Sequence, residues 1–173
     1  MCGIIGIASS KPVSTNIINS LKRLEYRGYD SAGLATLTKS EINEKKCSGR
    51  VEELEKILFK TPSNGNIGIG HVRWATHGVP NILNAHPHSS DIVSVVHNGI
   101  IENADEIKKN LEEIGYKFKS QTDTEVITLL LTEELKINEP LESVFKTLKK
   151  LKGSFALGII FKNYKDIIIG ARR

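Results

Sequence analysis

The sequence begins MCG, so a cysteine stands directly behind the initiator methionine. If Met1 is removed, Cys2 carries both a thiol and a free α-amine, which can act as nucleophile and base on one residue. The amine has a reference pKa of about 7.7–8 and the thiol of about 8.5, so proton transfer between them near neutral pH costs little free energy. Three plainer roles stay open at this point: a small buried side chain, half of a disulfide, or a frayed terminus.

The HNG segment at 97–99 could serve such a nucleophile. A group that attacks an amide needs hydrogen-bond donors where the carbonyl oxygen becomes negative. The side-chain amide of Asn98 and the backbone N–H of Gly99 are two such donors. Asn-Gly is also the commonest dipeptide of tight hairpin turns, and the residues alone favour the turn.

Charged and polar residues in HVRWATHG and QTDTEV are candidates for binding a substrate. Arg73 could hold a carboxylate through two parallel hydrogen bonds, or end its strand in a salt bridge. Asp123 could bind an ammonium group, or cap a helix. Trp74, the single tryptophan, is a core side chain by default, or a lid at the head of a loop. Thr76 and His77 could add polar contacts to the same ligand.

The histidines invite a metal-binding interpretation, which the spacing does not favour. No thiol or carboxylate stands at metal-like spacing around HPH at 86–88 or around the other histidines. We therefore expect no metal and no cofactor. The alternative, a metal-dependent hydrolase, predicts inhibition by chelators and indifference to Cys2→Ser. Cys47 is interpreted as structural or incidental.

Periodicity predicts alternating strands and helices that would position these residues. Strands are predicted over CGIIGIA, SAGLATLT, IGIGHVR, IVSVVHN, SFALGIIF and DIIIGAR. Helices are predicted from a cap at Ser14 to a stop at Gly28, over VEELEKILFK, ADEIKKNLEEIG and DTEVITLLLTEEL, and from Pro140 through Leu151. Asn103 and Glu106 resemble a capping box. Strands at both ends, with helices between, predict an α+β protein with helices packed on mainly antiparallel sheets.

Composition excludes several classes of protein. The chain has 173 residues, 39% hydrophobic and 25% charged, which is typical of one globular domain. Its net charge of +4 is spread along helix-like segments with acids interleaved, so we expect no nucleic-acid partner. No apolar run approaches the roughly 18 residues of a membrane span, and no basic region precedes the first apolar run. We expect a cytoplasmic protein with free thiols.

Six segments, taken together and in order, resemble one known family. MCGIIGI, LEYRGYDSAG, HVRWATHG, NAHPH, VVHNGIIEN and QTDTEVI are similar to the glutaminase domain of the glucosamine-6-phosphate synthase family. These are class II glutamine amidotransferases with the N-terminal-nucleophile hydrolase fold. The resemblance implies a four-layer αββα sandwich at 1–173, incomplete at its C-terminal end, with the isomerase domains of that family absent.

The resemblance also implies a role for each candidate residue. Cys2 would be the nucleophile and its α-amine the base, while Asn98 and Gly99 would form the oxyanion hole. Arg73, Thr76 and His77 would bind the α-carboxylate of glutamine, and Asp123 would bind its α-ammonium. Trp74 would head the loop that closes over glutamine and, in the complete enzyme, help to gate the passage of ammonia. Arg27 and His86 would support the site.

The implied reaction is the hydrolysis of L-glutamine to glutamate and ammonia without a cofactor. In the complete enzyme the ammonia would go to fructose-6-phosphate through the isomerase domains, and that enzyme would be a homo-oligomer. Two alternatives stay open: a catalytically inert fragment that binds glutamine or a partner chain, and an amidotransferase domain that serves another acceptor.

Overall fold

The computed structural model describes residues 2–39, 41–74 and 78–173. Its strands are β1 (Gly3–Ala8), β2 (Ser31–Leu37), β3 (Ile42–Ser48), β4 (Ile67–Arg73), β5 (His88–Ser89), β6 (Val93–Ile101), β7 (Gly153–Phe161) and β8 (Ile168–Arg172). Its helices are α1 (Ser14–Leu24), α2 (Val51–Lys60), α3 (Ala104–Glu113), α4 (Asp123–Glu134) and α5 (Pro140–Lys150), with a 3₁₀ turn at Glu25–Arg27.

The strands form two antiparallel sheets of four. The first sheet has the order β1-β4-β2-β3, and the second has the order β5-β6-β7-β8. In the first sheet β4 lies between β1 and β2, so that Gly70 pairs with Ile5 on one side and with Leu34 on the other. In the second sheet β6 and β7 are central and pair along their full lengths.

Three apolar cores separate four layers. The two sheets face each other across a core that includes Leu37, Ile69, Val96 and Ile160. Helices α1 and α2 cover the outer face of the first sheet. Helices α3, α4 and α5 cover the outer face of the second sheet. The expected α+β class and four-layer αββα arrangement are confirmed.

Helix α4 carries the DTEVITLLLTEE sequence and is buried on most sides. It packs on the second sheet and is flanked by α3 and α5, which explains why apolar residues surround its axis rather than forming a single stripe. Its first turn reaches the edge where the two sheets meet. Among the described residues, no helix is both long enough and apolar enough to cross a membrane.

Strand β3 was not predicted, because its sequence INEKKCS has no clean alternation. Among the described strands it pairs only with β2 and lies at the edge of its sheet, so polar side chains are tolerated along it. Cys47 is its buried residue, and burial raises the pKa of the Cys47 thiol. The two-residue β5 within the long loop was also not predicted.

Two predicted helix caps are wrong in detail. Ser14 is the first residue of α1 rather than its cap, and no side chain caps that helix. Asn103 precedes α3, but its side chain does not cap it. Instead the Asn103 amide donates to Lys150 O at 2.9 Å, and its oxygen accepts from Lys152 N at 2.8 Å. The side chain therefore ties the start of α3 to the end of α5.

Candidate active site

The candidate site lies where β1 begins, β4 ends, β6 approaches its end and α4 begins. A cavity of about 310 Å³ opens at this point. It is lined by Cys2, Arg73, Trp74, His86, His97, Asn98, Gly99, Ile100, Thr122, Asp123 and Thr124. Five separate segments of sequence therefore contribute to one cavity.

Cys2 is fixed through both its backbone and its thiol. Its carbonyl oxygen accepts from Arg27 Nε at 3.0 Å and from Asn98 Nδ2 at 3.2 Å. The backbone N–H of Trp74 donates to Cys2 Sγ at 3.4 Å, and the thiol lies 3.6 Å from Trp74 O. Cys2 is a free, half-buried thiol at a cavity wall, which removes the disulfide and frayed-terminus roles.

Gly28 explains why the segment after the 3₁₀ turn packs so closely against the Arg73–Trp74 backbone. A Cβ at this position would lie 2.5 Å from the carbonyl carbon of Arg73 and 2.5 Å from the backbone nitrogen of Trp74. Only glycine permits that approach. This contact holds the segment that carries Arg27 against the segment that carries Trp74. Both residues bond to Cys2, Arg27 at its carbonyl oxygen and Trp74 at its thiol.

Asn98 and Gly99 do not form a turn. Strand β6 continues through both to Ile101, and they pair with Ala156 and Phe155 of β7. Gly99 has a φ of +143°, and a Cβ there would lie 2.2 Å from Ser154 O. The residues alone favoured a turn, and that interpretation is wrong because β7 pairs with β6 along this whole stretch.

The cavity wall carries charges of both signs. Arg73 is buried and donates to Gly78 O at 3.2 Å and to Val79 O at 3.5 Å. Burial lowers the pKa of Arg73, while the nearby Cys2, Asp30 and Asp123 oppose that shift. The guanidinium stays protonated because its reference pKa is so high.

Asp123 supplies the negative charge. It is the first residue of α4, and its Oδ2 accepts from the backbone N–H of Ile101 at 2.9 Å. Its Oδ1 lies 3.8 Å from His97 Nδ1. A carboxylate has about four lone-pair positions, so these contacts leave it able to accept from an ammonium group.

Beneath the cavity, buried histidines join both sheets to α4. His71 Nε2 lies 3.0 Å from the backbone oxygen of His97, so this ring nitrogen must carry the proton. The His71 ring stacks on that of His86, with centroids 4.0 Å apart. His86 Nε2 and His97 Nδ1 lie 2.7 Å and 2.9 Å from Thr124 Oγ1. His88 Nε2 lies 2.9 Å from Thr122 Oγ1.

Burial keeps three of these rings neutral at neutral pH. It lowers the pKa of His71 to about 3, and it lowers the pKa values of His86 and His88 well below their usual 6.5. The rings are used for hydrogen bonds to hydroxyl and carbonyl groups. In the part of the chain that the structure describes, no group of three or more His, Cys, Asp or Glu side chains could hold a metal ion.

Most of the residues singled out in the sequence meet at the cavity. Cys2, Arg73, Trp74, His86, Asn98, Gly99 and Asp123 line it, and Arg27 bonds to Cys2. Thr76 and His77 lie outside the described residues. Sequence reasoning missed Ile100, Thr122 and Thr124, and it considered His97 only as a metal ligand. The threonines flank Asp123 in TDT, and this pattern of hydroxyl groups at a helix start was the signal available.

Comparison with known proteins decides the family. Residues 83–173, more than half of the chain, match the profile of the glutamine amidotransferase domain family. The chain belongs to this family. These are domains of enzymes, and the resemblance noted in the sequence is confirmed at this level.

Two curated relatives of this amidotransferase domain are named glutamine–fructose-6-phosphate aminotransferase (isomerizing). The protein from Mesorhizobium japonicum is 54% identical over 173 residues, which cover 99% of this chain and 28% of the relative. The protein from Zymomonas mobilis is 50% identical with the same coverage. The chain therefore spans little more than a quarter of the length of these relatives.

The fold is shared with a solved amidotransferase. The glutamine phosphoribosylpyrophosphate amidotransferase from B. subtilis is 25% identical and superposes with a TM-score of 0.86. The match covers 99% of this chain and 37% of that one. The N-terminal-nucleophile fold implied by the resemblance is confirmed.

The neutral histidines predict a pH dependence of stability. Their pKa values in the folded protein lie below the value of about 6.5 in the unfolded chain, so unfolding takes up protons as the pH falls below 6.5. Stability is then full above pH 6.5 and decreases toward the folded pKa, which is about 3 for His71. Each buried ring contributes a slope of up to about 1.4 kcal/mol per pH unit.

Urea denaturation at pH 7.5, 6.5 and 5.5 measures this slope, in a window where carboxylates do not titrate. The variant His88→Gln, which removes one titrating ring, should give a shallower dependence. A free energy of unfolding that is the same at pH 7.5 and 5.5 would contradict the assignment of neutral rings.

Proposed function

We propose that this chain hydrolyses the side-chain amide of L-glutamine to L-glutamate and ammonia, with Cys2 as the nucleophile once Met1 has been removed. The observation that carries the proposal is the convergence of the Cys2 thiol, the Arg73 guanidinium and the Asp123 carboxylate on one cavity of about 310 Å³. Free glutamine carries an α-carboxylate, an α-ammonium and a side-chain amide, which match these three groups.

The proposed reaction is acyl transfer to sulfur followed by hydrolysis. The α-amine of Cys2 takes the thiol proton, and Sγ forms a bond to the amide carbon. The oxygen of the tetrahedral intermediate accepts hydrogen bonds from the Asn98 side chain and the Gly99 N–H. The amine returns the proton to nitrogen, the C–N bond breaks, and ammonia leaves. Water then cleaves the γ-glutamyl thioester to give glutamate and the free thiol.

The two opposite charges also account for selectivity. Arg73, assisted by Thr76 and His77, would bind the α-carboxylate, and Asp123 would bind the α-ammonium. A glutamine within a peptide has neither charge at these positions, so neither the Arg73 guanidinium nor the Asp123 carboxylate would meet an opposite charge on the ligand. Such mismatches cost far more binding energy than a missing apolar contact.

For the longer protein to which such a domain belongs, we propose that the ammonia passes to fructose-6-phosphate and yields glucosamine-6-phosphate. The names and the roughly 50% identity of the curated relatives support this acceptor. The isomerase domains that would bind the sugar phosphate lie outside this chain. Trp74, 45% exposed at the cavity edge, would head the loop that gates the ammonia. A reducing, cytoplasmic location fits the two free thiols.

A diazo-ketone analogue of glutamine tests the nucleophile. The intact mass of the purified protein should lack one methionine, and incubation should add one equivalent of analogue. Cys2→Ala should abolish the adduct, whereas Cys47→Ala, a matched change of the other thiol, should retain it. A retained methionine with no adduct would contradict the proposal and favour the inert binding fragment. Labelling that chelators block would favour a metal-dependent hydrolase.

Binding and turnover should separate between two variants. Asp123→Ala should raise KM for glutamine at least about 10-fold, because the ammonium loses its partly buried charged partner. Asn98→Ala should instead lower kcat by about 100-fold with little change in KM, because its donor acts on the transition state.

Asp105→Ala is the control for removing an acid from the first turn of a helix, here α3. It should leave both constants unchanged. Equal effects of the Asp123 and Asn98 variants on KM and kcat would contradict the assigned roles.

A further inference from the structure

Thr124 occupies a position that links the two halves of the proposed site. It follows Asp123, the proposed ammonium ligand, and its hydroxyl bonds to His97, the residue before Asn98. One hydrogen bond of 2.9 Å therefore joins the start of α4 to the part of β6 that carries the proposed oxyanion donors.

Because side chains alternate between the two faces of β6, this hydrogen bond also affects the position of Asn98. The His97 ring contacts α4 on one face of the strand, and the Asn98 side chain contacts the Cys2 carbonyl on the other. The two side chains are consecutive on a single strand. A rotation of β6 that moved the His97 ring would therefore also move Asn98 relative to Cys2.

The hydroxyl of Thr124 is hard to replace because it makes hydrogen bonds to two histidine rings. It bridges His97 Nδ1 and His86 Nε2, and with a single hydrogen it donates to one ring and accepts from the other. Thr124 is fully buried, and the two rings are nearly so. Removing the hydroxyl would leave two largely buried ring nitrogens without this partner.

His86 also helps to fix the position of the Thr124 hydroxyl. Its ring stacks on His71, whose Nε2 donates to the His97 backbone oxygen. The backbone oxygen of His86 also packs against Gly33 of β2, where a Cβ would lie only 2.1 Å away. The Thr124 hydroxyl is therefore held by the His97 ring of the second sheet and by the His86 ring, which packs on the first sheet.

We infer that Thr124 is a positioning residue, which sets the placement of Asn98 and Gly99 relative to Asp123 through the His86–Thr124–His97 bridge. This inference rests on the proposed glutaminase function. It assigns no chemistry to Thr124 itself. Its consequence is that losing the hydroxyl impairs the chemical step while glutamine can still bind, because Ile101 N–H continues to hold the Asp123 carboxylate.

The test compares Thr124→Val, Thr124→Ser and Thr128→Val in the complete protein. Thr124→Val should lower kcat for glutamate release about 10- to 100-fold, since a small misplacement of reacting groups has effects of this size. KM should change by no more than about 3-fold, and Thr124→Ser, which keeps the hydroxyl, should retain kcat within about 3-fold.

Thr128→Val is the matched control. Thr128 is buried one turn further along α4, and its hydroxyl bonds to the backbone oxygens of His88 and Thr124 rather than to a ring. Its kcat should stay within about 3-fold of wild type. If Thr124→Val does not fold, Thr124→Ala takes its place, because the smaller side chain leaves room for a water.

A second measurement separates this inference from the proposed function. Amide hydrogen exchange of residues 97–101 should be faster in Thr124→Val than in wild type or Thr128→Val. If wild type is active and the kcat of Thr124→Val is unchanged, the inference alone is overturned. Equal losses of kcat in Thr124→Val and Thr124→Ser would overturn it too. An inactive wild type would overturn the proposed function, and unchanged exchange would then overturn the bridge as well.

Discussion

The structure depends on holding a chain terminus still. Ends of chains usually fray, yet Cys2 lies one residue before β1 and must present its thiol to a cavity. Hydrogen bonds from Arg27 and Asn98 converge on its carbonyl oxygen, and the Trp74 backbone meets its thiol. These three residues come from the 3₁₀ turn, from the second sheet and from the end of β4. The first residues of the chain are thus joined to both sheets.

The need to hold Cys2 in place also accounts for the polar interior. The region below the cavity is filled by rings and hydroxyl groups rather than by aliphatic side chains, and burial keeps His71, His86 and His88 uncharged. Each histidine uses one ring nitrogen to bond a carbonyl or a hydroxyl on another element, as His71 does with His97 O and His88 with Thr122 Oγ1. Directional bonds of this kind fix distances between layers more specifically than apolar packing does. The sandwich carries its site at the edge where this network meets solvent.

Much of this arrangement can be predicted from the sequence. The runs IGIGHVR and DTEVITLLLTEE have patterns that make β4 and α4 evident, and the cluster of polar residues at their ends marks the site. Strand β3 could not be predicted, because an edge strand with lysines lacks alternation. The continuation of β6 through Asn98 and Gly99 depends on pairing with β7, more than 50 residues later in sequence. Local propensity favours a turn there, and tertiary pairing overrides it.

The histidine network was even harder to predict from the sequence. His71, His86, His97 and Thr124 are separated by up to 53 residues, and nothing in their spacing shows that they meet. The sequence suggested metal ligands and gave reasons to discount them, but not the hydrogen bonds that use the rings instead. Only the packing of two sheets against α4 brings these groups together.

The central claim is that the α-amine of Cys2 acts as the base, and one measurement tests it directly. Glutamate release is measured for protein made with an N-terminal extension, before and after a site-specific protease cuts immediately before Cys2. A matched sample retains one extra glycine after cleavage. If the α-amine is the base, glutamate is released only when Cys2 is the first residue, and the glycine-capped sample is inactive although folded. Equal activity of the capped and uncapped proteins would contradict it.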